Sequence, residues 1–378
     1  MYAAVFVVSL VLAIMFHEFG HYATAKAFGM KVERFFLGFG PTLWSFQRGE
    51  TEYGVKAIPA GGFVKITGHS RFEDIAEQDR PRAFYNQPAW QRFIVLAAGS
   101  FTHFIVAVLL LFAALAFIGA PVASNLIEQV APGTPADEAG LREGDRIVAA
   151  DGVPVGDFEA VRDIVTARGG ERMTLVVERD GERLQVQARI AEQTPDGQEV
   201  GFLGVAPAAE TRRYGVAAAA REVTTGDLSI ATLTRITVGG LAQALSPAGL
   251  AHYFSQVGSE GPRDPEGPIS VVGIGQTVQA LGSSGDVFAV LAILAQLNIV
   301  LGVLNMLPLP PLDGGHVMVM LVEKGVNGWR RLRGRRADWS LDPAVVTPIA
   351  LAVILLFTML TVTAVYLDIV KPASELVQ

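Results

Sequence analysis

The 378-residue sequence predicts a polytopic α-helical membrane protein, with four transmembrane helices and an inserted soluble α+β domain. Three observations carry that prediction. Apolar residues make up 51% of the chain, more than a soluble enzyme ordinarily holds. Four stretches match the roughly 20 helical residues needed to cross a hydrocarbon core of about 30 Å, where each unpaired backbone group costs several kcal/mol. One internal stretch, 121–207, changes to short alternating runs broken by turn residues, as a folded β-rich domain does.

The first span runs from Met1 to about Ala25 and is apolar except for His17, Glu18 and His21. It has no basic flank at its start, so it reads as a retained span rather than a cleaved signal. The second span is Phe93–Ala120, the third Val287–Leu307 and the fourth Ala344–Leu367. The chain thus divides into 1–120 with two spans, the insert at 121–207, a stretch 208–286 of short helices on the outer face, and 287–378 with two further spans. Lys and Arg gather between spans one and two (Lys26, Lys31, Arg34, Arg48, Lys56, Lys65, Arg71, Arg80, Arg82) and between three and four (Lys324, Arg330, Arg331, Arg333, Arg335, Arg336). The positive-inside bias puts both loops in the cytosol, and the N-terminus, the insert and the C-terminus outside. Spans one and three then run in the same direction, outside to inside.

Composition also excludes. A net charge of −7 argues against general nucleic-acid binding, which needs an extended basic surface. Without cysteine there are no disulfides, iron–sulfur clusters or thiolate metal sites, so any metal rests on His, Asp or Glu.

Such ligands are present. His17-Glu18-Phe19-Gly20-His21 is an H-E-x-x-H pattern on a helix. The four-residue spacing stacks both imidazoles on one face, where they can hold one Zn²⁺, with Glu18 beside the bound water. Buried in an apolar span, each of these groups costs a few kcal/mol unless it works or is paired. A catalytic zinc site usually has a third protein ligand. The position six residues after His21 is Ala27, and Glu33 lies beyond Gly29, past the apolar span. Asp313 is the better choice, in Asn305-Met306-Leu307-Pro308-Leu309-Pro310-Pro311-Leu312-Asp313-Gly314-Gly315, where prolines forbid a regular helix. His17 lies about 24 Å into an inward span at 1.5 Å per residue, and Asp313 follows another inward span, so both arrive near the cytosolic side. A turn residue alone has no reason to share that depth. The same reasoning treats His103 and His316 as hydrogen-bonded residues before ligands, and gives His69 and His252 no role beyond loop or surface.

With both motifs in place the chain resembles the site-2 protease family of intramembrane zinc metalloproteases, nearest the bacterial regulator of sigma-E protease type, over nearly its whole length. Gly38-Phe39-Gly40-Pro41, Gly61-Gly62-Phe63-Val64-Lys65-Ile66, Asn86-Gln87-Pro88 and Gly267-Pro268-Ile269 share in the likeness. The resemblance implies one Zn²⁺ per chain held by His17, His21 and Asp313, with Glu18 as general base and Asn305 stabilising the oxyanion or holding the substrate strand. It implies a membrane-associated β-hairpin on the cytosolic side, in which Gly61, Gly62, Phe63, Val64 and Lys65, with Pro308 and Pro310, meet an unwound substrate. Two departures stand out: family members of this type often carry two PDZ domains and a Gly-Pro-x-x-Asn pattern in span two, whereas this chain has Gly99-Ser100-Phe101-Thr102-His103.

The insert resembles a single PDZ domain, through its strand at Leu126–Val130, Pro135-Ala136-Asp137-Glu138-Ala139-Gly140-Leu141, Gly144-Asp145-Arg146-Ile147 and a helix near Phe158–Ala167. That implies a site for peptide or protein C-termini, with Gly201-Phe202-Leu203-Gly204 as the ligand-facing loop of a circularly permuted version. A domain that merely positions the chain is the plainer alternative. The expected protein is a multi-pass protease of the bacterial inner membrane, acting on single-span membrane proteins such as anti-sigma factors or signal-peptide remnants. Two rivals are a catalytically silent PDZ-bearing adaptor, which has no use for Glu18, and a zinc transporter, which needs more than one binding station.

Overall fold

A run of apolar residues free of proline forms the first helix, α1 (Tyr2–Ala27), and Gly29, at φ 75°, lets the chain turn away just past its end. The computed structural model describes all residues except 70–72, 194–199, 258, 260–266, 268, 337–338 and 372–378; Pro268 of the Gly-Pro-Ile pattern lies outside the described residues. The described chain forms two compact units, one of residues 1–116 with 215–378, the other Phe117–Tyr214.

In the first unit, β1 (Val32–Arg48) and β2 (Thr51–Ile66) follow α1. They are long enough to fold over and pair twice: Arg34 faces Glu52 on one side and Lys65 on the other. The result is four short antiparallel runs, with 62–66 at one edge and 42–48 at the other. Gly38 and Gly40, both at φ 85°, permit the bend.

Helix α2 (Ala89–Ala113) starts four residues before the predicted Phe93, directly after Pro88, whose ring keeps the residue before it out of the helical region. It continues as a π-helical turn through Ile118, so Ala120 belongs to a strand and not to the span. Helix α1 packs on α2 through Gly20, where a Cβ would meet the Ala98 carbonyl and Thr102. Small residues at such crossings allow close van der Waals approach in a membrane.

The described residues of 208–286 form short helices, as the sequence leads one to expect. They form the end of a strand and four helices, α5 (Val216–Thr225), α6 (Ile230–Ala244), α7 (Pro247–Ser255) and α8 (Val271–Ser284), which belong to the same unit as the spans. Helix α9 (Val287–Asn305), capped by Asp286, packs against α6 through a 2.9 Å hydrogen bond from Gln296 to Thr237. Pro308, Pro310 and Pro311 then keep the chain irregular until α10 (Asp313–Leu332). Helix α11 (Pro343–Val370) closes the unit, and its buried Asp368 accepts the Ser270 and Gly273 amides that open α8. Among the described residues four helices, α1, α2 with its π turn, α9 and α11, are long and apolar enough to cross a membrane, and the stretch Val216–Ala244 with α7, bent by 71°, would make a fifth if it crosses as one broken span.

The second unit holds a sheet in the order β10-β3-β4-β6-β7, formed by β3 (Ala120–Val130), β4 (Arg146–Ala150), β6 (Arg172–Arg179), β7 (Glu182–Arg189) and β10 (Val205–Arg212), with β5 (Val153–Pro154) beside β4. Helices α3 (Pro135–Glu138) and α4 (Phe158–Thr166) and the small pair β8 (Ala191–Gln193) and β9 (Val200–Phe202) complete it. The unit is wider than 121–207 because β10 pairs with β3 as far as Arg212 opposite Ala120. Its core is Ile127, Leu141, Ile147, Met173, Leu175, Val177 and their neighbours. Asp145 is fully buried; burial alone would raise its pKa, but two hydrogen bonds from Arg179, at 2.6 and 2.7 Å, and the Arg142 amide outweigh that and hold it below the usual carboxylate range.

Candidate metal centre and active site

One turn of α1 sets His17 above His21, and their Nε2 atoms lie 3.1 Å apart. Asp313, the first residue of α10, brings Oδ2 to 3.2 Å from His17 Nε2 and 3.4 Å from His21 Nε2. One ligand atom from each of the three residues falls within 4.8 Å of the others, the sole grouping of this kind among the described residues. The sequence places these residues almost three hundred positions apart. What closes the gap is the turn after α9: a Cβ at Gly314 would strike the Met306 and Leu307 carbonyls, and one at Gly315 the Leu309–Pro310 backbone. Only glycines let α10 begin so close to the proline-broken run, in which the Pro310–Pro311 peptide is cis.

The donor set fits a cation. His21 Nδ1 lies 2.7 Å from the Val95 carbonyl, which can only accept, so the ring proton sits on Nδ1 and Nε2 presents a lone pair. That lone pair faces the other imidazole and a carboxylate oxygen, and Asp313 Oδ2 is buried without a hydrogen-bond donor. Buried acceptors facing one another repel unless a positive charge lies between them. Three such donors, two His and one Asp, are the set that would hold a catalytic zinc and leave room for a water.

Glu18 points toward the β1–β2 sheet, where the Val64 backbone hydrogen-bonds its carboxylate. A Cβ at Gly62 would lie 2.9 Å from Glu18 Cγ, so the edge run 62–66 passes directly over the expected base. The expected substrate residues divide accordingly. Gly62 and Val64 touch Glu18; Gly61, at φ 135°, lies against the Phe39 ring; Phe63 stacks on Phe36 at 5.6 Å; and Lys65 pairs with Glu33 at 2.6 Å. Glu33 is thereby held in an ion pair away from the three ligands, as the argument against it required. Pro308 is exposed and Pro310 half-buried, both in the irregular run before α10.

Asn305, expected at the oxyanion or the substrate strand, stands with its amide nitrogen 3.5 Å from His17 Nδ1. His103 is not among the three ligands. Its Nδ1 lies 3.0 Å from Asn298 Oδ1 on α9, and its ring centroid is 5.1 Å from that of His17. His69 is an exposed residue of a bend, as expected, and His316 meets its ring edge-on at 4.9 Å. Sequence reasoning missed Gly99, where a Cβ would run into the His17 and His21 rings. A glycine inside an apolar span was the available signal.

In the second unit, Gly201 and Phe202 lie in β9 opposite Glu192 and Ala191, Leu203 is buried in the core, and Gly204 (φ 89°) leads into β10. The Leu203 and Gly204 carbonyls accept the amides of Ala136 and Ala131, which ties this loop to the start of α3. The motif is therefore a folded corner preceding an edge strand.

The model of peptidase family M50 matches residues 5–337. Among curated relatives, the zinc metalloprotease Rip1 of Mycobacterium tuberculosis is 36% identical over 97% of this chain and 96% of that protein. Rip1 of Mycolicibacterium smegmatis is 35% identical over 98% of this chain and 97% of its own length.

Proposed function

The chain belongs to peptidase family M50 and is a zinc metalloprotease, and on that premise we propose that it hydrolyses peptide bonds in or beside the transmembrane segments of single-span membrane proteins. The observation that carries the reading is the meeting of His17, His21 and Asp313 next to Glu18, at the junction of membrane-spanning helices and an open sheet edge. Zinc, when bound, supplies Lewis acidity, lowering the pKa of a water toward about 7 and polarising the scissile carbonyl.

The rest is done by the chain itself. His17, His21 and Asp313 hold the ion; the Val95 carbonyl keeps His21 in the required tautomer. Asn305, whose amide nitrogen lies 3.5 Å from His17 Nδ1 beside the ligands, is assigned the oxyanion or the substrate strand. Glu18 takes a proton from the attacking water as oxygen adds to the carbonyl carbon, then gives it to the amide nitrogen as the C–N bond breaks. A helical substrate hides its carbonyls in its own hydrogen bonds and must unwind first. The free edge of 62–66 offers a strand on which the unwound segment can pair, within reach of Glu18.

Residues Phe117–Tyr214 act as a PDZ domain whose edge strand β10 receives a peptide or a protein C-terminus, or which admits only substrates already trimmed. The clustered Lys and Arg favour an active site near the cytosolic face of a bacterial inner membrane, with the PDZ unit and both termini on the other side. An inert adaptor is set aside by the family, in which the relatives are named metalloproteases. The test is Glu18→Gln: it should keep one zinc per chain and the fold while cleavage of a model membrane peptide falls about 10²- to 10⁴-fold. Undiminished cleavage by the purified variant would end the reading.

A further inference from the structure

Helix α10 does two things at once: its first residue is Asp313, and its later turns carry an exposed apolar stripe. Leu321, Val322, Trp329 and Leu332 follow Met318 by three, four, eleven and fourteen residues, which is one face at 3.6 residues per turn. All five are exposed, Leu332 at 89%. The opposite face is taken. Asn327 exchanges two hydrogen bonds with the Trp339 backbone, at 2.8 and 2.9 Å, and Glu323 accepts the Leu341 amide at 3.0 Å. Those partners lie just before Pro343, where α11 enters its apolar run. At the other end Val317 is buried with Ala25 of α1 and Val95 of α2, near where those two spans leave the apolar zone. The helix is therefore fastened at both ends to the level at which spans begin and end.

Its basic residues lie at the same level. Arg331, Arg333, Arg335 and Arg336 are exposed, and the Arg333 guanidinium lies 3.9 Å over the Trp329 ring. An apolar stripe, a tryptophan and a cluster of arginines on one helix end are the chemistry of a segment lying in the interface of an anionic leaflet.

We propose that α10 docks on anionic phospholipid, its stripe among the upper acyl chains and its arginines on the headgroups, and that docking steadies Asp313 for metal binding. Arginine suits the headgroups because its fork matches phosphate oxygens in pairs. The second half of the proposal rests on the metalloprotease reading of the site; the first does not.

The test uses the full chain in nanodiscs of phosphatidylcholine alone or mixed equally with phosphatidylglycerol. Backbone hydrogen exchange over 321–332 should slow about tenfold in the anionic discs. Combined Arg331→Gln, Arg333→Gln, Arg335→Gln and Arg336→Gln should erase that difference, while the four Arg→Lys changes keep most of it. Equal exchange in both discs, or a response that survives the glutamine variant, overturns the docking; so would protection appearing only with a protein partner. Zinc retention against a chelator should rise with anionic lipid in the same series, and indifference to lipid overturns the link to Asp313. Lipid-dependent protection and zinc retention without proteolysis in either disc would count against the proteolytic reading and leave the docking standing.

Discussion

At the residue scale, the centre depends as much on what is missing from side chains as on the ligands. Gly99 leaves room for the His17 and His21 rings, which a single methyl would strike. Gly99→Ala should therefore displace an imidazole by about 1 Å, a shift of the size that costs about 10²-fold in rate, and metal analysis should show reduced zinc occupancy in a chain that still inserts and folds. Full occupancy with normal cleavage would mean the rings have slack that the packing does not suggest. This requirement was only half legible. The H-E-x-x-H spacing announces itself because two imidazoles on one helical turn in lipid have few other uses. Asp313 could be paired with it through charge asymmetry, since two inward spans deliver both motifs to one depth. Gly99, the Val95 carbonyl and the His103–Asn298 pair could not be read, because each depends on how α2 and α9 rotate against α1, and side-chain pattern within a nearly uniform apolar run leaves that rotation open.

At the element scale, the β1–β2 turn is pinned to its surroundings by one carboxylate. The Arg82 guanidinium, at 2.6 and 2.7 Å, and the Lys26 ammonium, at 2.7 Å, hold Glu50 down to about 2. Because the folded pKa is depressed below the ordinary 4.5, the stabilisation is whole above about 4.5 and fades as pH falls toward about 2. Glu50→Gln should cost about 1–2 kcal/mol locally at neutral pH. Faster protease nicking between Arg48 and Thr51, with the variant and wild type converging near pH 2, would bear this out, and a pH-independent difference would point to another cause. Elements of the insert were legible: α4 falls where a helix near Phe158–Ala167 is expected, and β3 contains the expected strand Leu126–Val130. Helices α5 to α8 were legible only as short helices, without bounds or packing partners. A helix that packs partly on apolar spans has no sharp division between a wet and a dry face, so its sequence loses the 3.6 period that marks a surface helix. The doubled pairing of β1 and β2 was equally hidden, since it depends on bends at Gly38 and Gly40 and not on the strand residues.

At the scale of the whole molecule, the unit 117–214 begins and ends at one place. Ala120 pairs with Arg212, and Cα atoms in such a pair lie about 5 Å apart, so removing 120–212 and joining Gly119 to Arg213 leaves a gap that a single peptide step nearly spans. Every proposed ligand, the expected base and all four apolar helices stay outside the excised part. The shortened chain should thus keep one zinc and cut an already trimmed membrane peptide at close to the full rate, which separates the role of the unit from any effect on folding. If the unit filters substrates by size or by captured C-terminus, cleavage of untrimmed single-span proteins should rise by at least an order of magnitude on excision, because the barrier removed acts before chemistry and a 1.4 kcal/mol change in access is already tenfold. An unchanged substrate range together with intact zinc would show that the domain only positions the chain, and an edge strand as open as β10 would then need a different partner to explain it.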